Sequence, residues 1–120
     1  VVKKALVVDD SPADLAAVKS ILSDAGCVVV TASNGKEAID KAKAEKPAII
    51  FLDIVMPDMD GYEACRLLAE DPATKGIPVV FVTSKGQKAD KVWGQMQGGK
   101  AHLVKPVSAD QIVDQLKTVA

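Results

Sequence analysis

Five short apolar runs punctuate this chain: Ala5 to Val8, Cys27 to Thr31, Ala48 to Leu52, Ile77 to Val82 and Ala101 to Val104. Their brevity and β-branched content predict strands, and the unbroken apolar character of the third predicts a strand covered on both faces. Between the runs, apolar residues recur at helical spacing instead. Ser11 and Pro12 are the N-cap and first residue of one helix, along which Leu15, Val18, Leu22 and Ala25 recur before Gly26 stops it. Asn34-Gly35 opens a second, alanine-rich helix through Lys46, and Tyr62 to Glu70 form a third, closed by Asp71-Pro72. Lys88 to Gln97 form a fourth, with Val92, Trp93 and Met96 expected to face inward. Ser108 caps a fifth, on which Ile112, Leu116 and Val119 share a face. Strict strand–helix alternation predicts an α/β fold, a parallel sheet with helices on both faces. No repeat, low-complexity tract or linker interrupts it, so residues 1–120 read as one domain.

Composition narrows the function classes. A 120-residue chain that is 48% apolar suits one core. Its net charge of −1, with acids and bases interspersed, favours neither nucleic acid nor an anionic membrane surface. No apolar run is long enough for a membrane span and no signal peptide opens the chain, so a cytoplasmic location is expected. Cys27 and Cys65 lack metal-ligand or redox spacing and read as buried thiols. The chain opens at Val1 without a methionine, which leaves processing or excision from a longer chain open.

The chemistry-bearing residues gather at strand ends. Asp9 and Asp10 follow the first strand, Asp53 the third, Thr83 ends the fourth and Lys105 follows the fifth. Parallel strands bring those ends to one edge, where open α/β sheets bind ligands. At an effective dielectric near 20, carboxylates ~5 Å apart repel by about 3 kcal/mol per pair. One lysine is too little for three acids. A hard divalent cation that keeps waters and binds phosphate oxygens, Mg²⁺, fits the deficit. Asp53 at the mouth of the central strand is then a candidate nucleophile that takes up a phosphoryl group as an acyl phosphate. The Lys105 ammonium and the Thr83 hydroxyl are suited to clamp the phosphoryl oxygens. Singly, each residue has a plainer reading: Asp9 and Asp10 as helix caps, Asp53 as a turn residue, Thr83 as a strand end, Lys105 as a solvated charge.

Together, Leu6-Val7-Val8-Asp9-Asp10-Ser11, Phe51 to Gly61, Val82-Thr83-Ser84 and Val104-Lys105-Pro106 resemble the receiver domain of bacterial response regulators. The resemblance spans essentially the whole chain. It implies a flavodoxin-like (βα)5 fold with strand order 2-1-3-4-5, the order for which flavodoxin and a chemotaxis regulator are standard examples. It further implies Asp53 as phosphoacceptor and Asp9 and Asp10 as Mg²⁺ acids, with the Val55 backbone carbonyl as another metal ligand. Thr83 becomes the switch hydroxyl, Lys105 the phosphate-sensing lysine, and Lys105-Pro106 a cis peptide. The partners implied are a histidine kinase or phosphotransfer domain, and a protein target on the fourth helix, fifth strand and fifth helix. Such a domain catalyses only its own phosphorylation and dephosphorylation, and nothing in the remaining chain has room for an output domain.

The segment from Lys85 to Gly99, chiefly Lys91-Val92-Trp93-Gly94 and Gln97-Gly98, resembles single-domain regulators of twitching motility and type IV pilus chemosensory systems. His102 stands where such domains usually carry a switching Tyr or Phe, and it is expected to fill space vacated as Thr83 moves inward. The plainer alternative is a half-buried edge-strand histidine. Gly94 inside the fourth helix, and Gly98-Gly99 at its end, predict this helix to be the easiest to shift.

Two rival functions share parts of the pattern. An aspartate-nucleophile phosphohydrolase of the dehalogenase type wants an acid two residues after the nucleophile, where this chain has Val55. A flavodoxin-type cofactor binder wants a Ser/Thr/Gly-rich phosphate loop after the first strand, where this chain has Asp9-Asp10-Ser11-Pro12.

Overall fold

A computed structural model of the chain describes residues 3–84 and 86–119. Lys85, the first residue of the pilus-regulator-like segment, and the terminal residues of the 1–120 reading lie outside the described residues. The elements alternate as β1 (Lys4–Val8), α1 (Pro12–Asp24), β2 (Val28–Ala32), α2 (Gly35–Glu45), β3 (Ile49–Leu52), α3 (Gly61–Glu70), β4 (Val79–Thr83), α4 (Lys88–Met96), β5 (Ala101–Val104) and α5 (Ala109–Lys117). The five strands form one parallel sheet in the order β2-β1-β3-β4-β5.

Side-chain alternation along the strands divides the interior in two. Leu6, Val8, Ile50, Leu52 and Phe81 face one side, against Ala38 and Ala42 of α2 and Ala64, Cys65 and Leu68 of α3. Ala5, Val7, Ile49, Phe51, Val80 and Val82 face the other, against Val18 and Leu22 of α1 and Ile112 and Leu116 of α5. Every residue of β3 is buried, as an apolar run without alternation requires. Each large side chain so removed from water stabilises the fold by about 1.5–3 kcal/mol before entropy is counted.

Helix starts are set by side-chain caps. Ser11, Asn34, Asp60 and Ser108 each accept the backbone N–H three residues on, satisfying a donor the helix cannot. At the other end of α1, Gly26 adopts φ +90°, a left-handed conformation that ends the helix at little steric cost.

The sequence pattern misplaces two faces. Ala25 is the C-cap of α1 and exposed, one residue too late to join the buried stripe. On α4 the expected inward residues point out: Val92 is 48% exposed, Trp93 49% and Met96 69%. The buried residue of α4 is Gly94, where a Cβ would lie 2.8 Å from the Phe81 ring. The aromatic ring on the sheet fills the space that side chains would have taken, so the helix sits close and its apolar stripe is left outside. Cys65 is buried as expected, whereas Cys27 is half-buried.

Candidate functional site

All four strand ends that carry candidate residues meet at one edge, because parallel ladders carry on past the strands. The Asp9 N–H donates to the Ala32 carbonyl, the Asp53 N–H to Val8 and the Lys105 N–H to Thr83. These backbone bonds fix where each side chain begins. The loop after Asp53 is then clamped by α3. Gly61 donates its N–H to the Ile54 carbonyl at 2.8 Å, and a Cβ on Gly61 would lie 2.2 Å from the Asp53 carbonyl oxygen. Glycine is needed here for close approach, a role beyond the turn that its sequence context indicates.

One oxygen from each of Asp9, Asp10 and Asp53 lies within 4.8 Å of the others. Asp9 and Asp53 are buried, at 4% and 6% exposure, whereas Asp10 is exposed. Asp53 Oδ1 accepts the Ile54 N–H at 2.8 Å, and Asp9 Oδ1 accepts the Ser11 N–H at 2.9 Å. Lys105 Nζ stands among the outer oxygens, 2.9 Å from Asp9 Oδ2 and 3.6 Å from Asp53 Oδ2. Thr83, fully buried at the end of β4, lies close enough for its hydroxyl to pull the Asp53 pKa down.

The electrostatics follow from that crowding. Burial, then the charge of Asp9, raises the Asp53 pKa, against the opposing pull of Lys105, the Ile54 N–H and Thr83. Burial works to lower the Lys105 pKa, yet hydrogen bonds to Asp14 and Asp9 and the neighbouring carboxylate charges carry it above its ordinary value, so it stays an ammonium. The cluster therefore remains short of positive charge. Its donors are hard carboxylate oxygens, and the exposed Asp10 leaves one side open to water. Such a set fits a hard divalent cation that keeps part of its hydration shell.

Other expected residues sit around this centre. Val55 lies in the loop after Asp53 with its apolar side chain 53% exposed, so it brings no acid or base to the site. The Lys105–Pro106 peptide bond is cis. His102 lies opposite Phe81 in the β4–β5 register, whereas Thr83 lies opposite Val104. The His102 ring is half-buried, 6.0 Å from the Phe81 ring centroid, and borders a cavity of about 260 Å³ between α4 and β5.

Two contributors escaped the sequence reading. Asp14, in the first turn of α1, holds Lys105 Nζ at 2.8 Å, nearer than either predicted acid. An acid at that place is ordinarily a helix-terminus feature, and nothing in its spacing points to a lysine 91 residues later. Tyr62 of α3 donates its hydroxyl to the Asp90 carbonyl at 3.1 Å, and its ring stands edge-on to both Phe81 and Trp93.

Comparison with known proteins agrees with this fold. Residues 5–117 match the family model described as the response regulator receiver domain. The protein PilH of Pseudomonas aeruginosa is 40% identical over 114 residues, covering 95% of this chain and 94% of that one. PilG of the same organism is 37% identical over 114 residues, covering 95% and 84%. Among solved structures, the chemotaxis protein CheY4 of Vibrio cholerae superposes with a TM-score of 0.92 at 32% identity, covering the whole of both chains.

Proposed function

Because this chain belongs to the response regulator receiver domain family, we propose that Asp53 takes a phosphoryl group from a phosphohistidine on a histidine kinase or phosphotransfer domain. An Asp53 oxygen forms a bond to phosphorus as the P–N bond breaks, and that bond's electron pair leaves with the imidazole. Hydrolysis is the return step: water attacks phosphorus, the O–P electrons go back to the Asp53 carboxylate, and inorganic phosphate leaves. The protein is a signalling domain, and these two reactions on itself are its only catalysis.

The observation that carries this reading is the environment of Asp53. It is a buried carboxylate whose Oδ1 is oriented by the Ile54 N–H and whose Oδ2 faces Lys105 at 3.6 Å. Orientation by a backbone donor presents the other oxygen to an incoming group. Lys105 and Thr83 then hydrogen-bond the phosphoryl oxygens where charge accumulates. Asp9, Asp10, Asp53 and the Val55 carbonyl would hold Mg²⁺, which when bound neutralises charge on the acids and the phosphoryl oxygens. Val55 supplies no second acid, which disfavours sustained phosphohydrolase turnover.

Readout runs through Thr83 and His102 to α4, β5 and α5. The exposed Val92, Trp93 and Met96 support this face as a protein-docking surface, since apolar side chains grouped in water mark interaction sites. The similarity to the two Pseudomonas proteins, with the motifs around Trp93, supports a role in pilus-driven motility. No described helix is long and apolar enough to cross a membrane, and a cytoplasmic setting accords with a kinase partner there.

Incubation with acetyl phosphate and Mg²⁺, followed by intact mass and peptide mapping, tests the proposal. The expected result is one phosphoryl group on Asp53. Undiminished labelling of Asp53→Asn refutes it.

A further inference from the structure

We propose that Asp14 is a positioning residue for Lys105, holding the ammonium toward α1 and away from Asp53 until a phosphoryl group competes for it. The proposal rests on the reading of Asp53 as acceptor and Lys105 as its phosphate-contacting cation.

Lys105 Nζ lies 2.8 Å from Asp14 Oδ2, 2.9 Å from Asp9 Oδ2 and 3.6 Å from Asp53 Oδ2. An ammonium has three protons to donate. Asp14 and Asp9 accept two of them at charge-assisted hydrogen-bond length, and the separation from Asp53 exceeds that length. The nearest acid to the cation is therefore not the acceptor but a residue of α1.

The local sequence explains why Asp14 is available. It occupies the third position of α1, where an acid commonly folds back to accept the N–H of the cap residue. Here the Ser11 N–H is already taken by Asp9 Oδ1 at 2.9 Å. Asp14 keeps only the helix-cap bond of its own N–H to Ser11 Oγ, and its carboxylate is left to reach Lys105.

The two anchors of Lys105 differ in how readily they let go. The Asp9 side chain is 4% exposed and tied to Ser11. That of Asp14 is 47% exposed and, with Lys105, Val82 and Pro106, borders a cavity of about 380 Å³. Water can replace Lys105 at a half-exposed carboxylate with little loss, so the Asp14 contact is the one that yields. A phosphoryl group on Asp53 carries more charge and more acceptor oxygens than a carboxylate, and it wins the cation. Asp14 thus slows phosphoryl uptake by withholding the positive charge that the incoming group needs.

Removing Asp14 also removes a negative charge from the site mouth, an effect that does not run through Lys105, and the experiment must separate the two. Asp14→Asn is expected to speed Asp53 phosphorylation by acetyl phosphate and Mg²⁺ about two- to fivefold, the scale of a half-exposed ion pair. Asp14→Glu should restore a rate near that of the parent. In a Lys105→Met background the Asp14→Asn gain should vanish; a gain that persists there overturns the positioning role. A second measurement needs neither metal nor phosphoryl group. In EDTA, the Lys105 Cε–Hε NMR signals should shift in Asp14→Asn and stay put in the surface control Asp114→Asn. Signals unmoved by Asp14→Asn overturn the proposal. If the parent protein accepts no phosphoryl group on Asp53, the acceptor reading fails instead, and the NMR measurement still decides the Asp14–Lys105 contact.

Discussion

Replacing the acceptor should make the metal-free protein more stable. Asp53 lies within 4.8 Å of carboxylate oxygens on both Asp9 and Asp10, so at an effective dielectric near 20 each repulsion costs at least about 3.5 kcal/mol. Attraction to Lys105 at 3.6 Å returns about 4.5 kcal/mol on the same scale. The remainder is a net penalty of about 2.5 kcal/mol, before the cost of burying the charge. Asparagine keeps an oxygen for the Ile54 N–H and an amide that can meet Thr83, while Lys105 retains Asp9 and Asp14. Asp53→Asn is therefore expected to raise the melting temperature by about 5–10 °C for a chain of this size. The measurement is a thermal melt in EDTA at low ionic strength, with Asp114→Asn as control.

The pH dependence has a definite sign. The Asp53 pKa is raised in the folded state, chiefly by burial and then by Asp9. The folded protein thus holds this proton more tightly than the unfolded chain, and stability falls as pH climbs from the ordinary carboxylate value through the raised one. The gap between variant and parent should be small below that window, open across it and stay constant at neutral pH. A variant that melts at or below the parent at neutral pH would refute the picture of an undercompensated acid cluster.

Three further outcomes are expected. Mg²⁺ at 100-fold over its dissociation constant should stabilise the parent by about 2.7 kcal/mol, and Asp10→Ala should remove most of the accompanying rise in melting temperature; a parent insensitive to millimolar Mg²⁺ at low ionic strength contradicts the metal assignment. Gly61→Ala forces a Cβ onto the Asp53 carbonyl oxygen and should cost about 1–3 kcal/mol in denaturant unfolding, with a loss of phosphorylation. Thr83→Ala should permit phosphorylation yet abolish the change in amide exchange over residues 88–104 that beryllofluoride and Mg²⁺ induce in the parent; an identical change in both proteins removes Thr83 from the readout.

The α/β layout and its sheet edge were legible because they depend on properties a sequence displays: apolar runs, caps, glycine stops and charges at strand ends. The inward or outward sense of α4 was not. Val92, Trp93 and Met96 make an apolar stripe at helical spacing, and a stripe looks the same whether it faces a core or a partner. What decides the matter is the Phe81 ring, which only Gly94 and Gly99 admit at such close range. Gly94 thus reads in the sequence as a weak point of the helix, whereas in the fold it is a packing requirement, and an added methyl group would press on Phe81 rather than simply stiffen α4. Asp14 was illegible for a related reason. Its partner lies 91 residues away, and the Ser11 N–H that an acid at its helix position commonly accepts goes to Asp9 instead.

That single ammonium also bears on the order in which the chain can assemble. Lys105 joins α1, the end of β1 and the end of β3, yet it arrives only after β5, the fifth strand of this sheet. A nascent chain that has emerged only as far as β4 already carries Asp9, Asp10, Asp14 and Asp53 without their cation. In that interval dissolved salt and free divalent ions must supply the screening that Lys105 later provides, and the sheet edge closes its charge balance only once β5 has emerged.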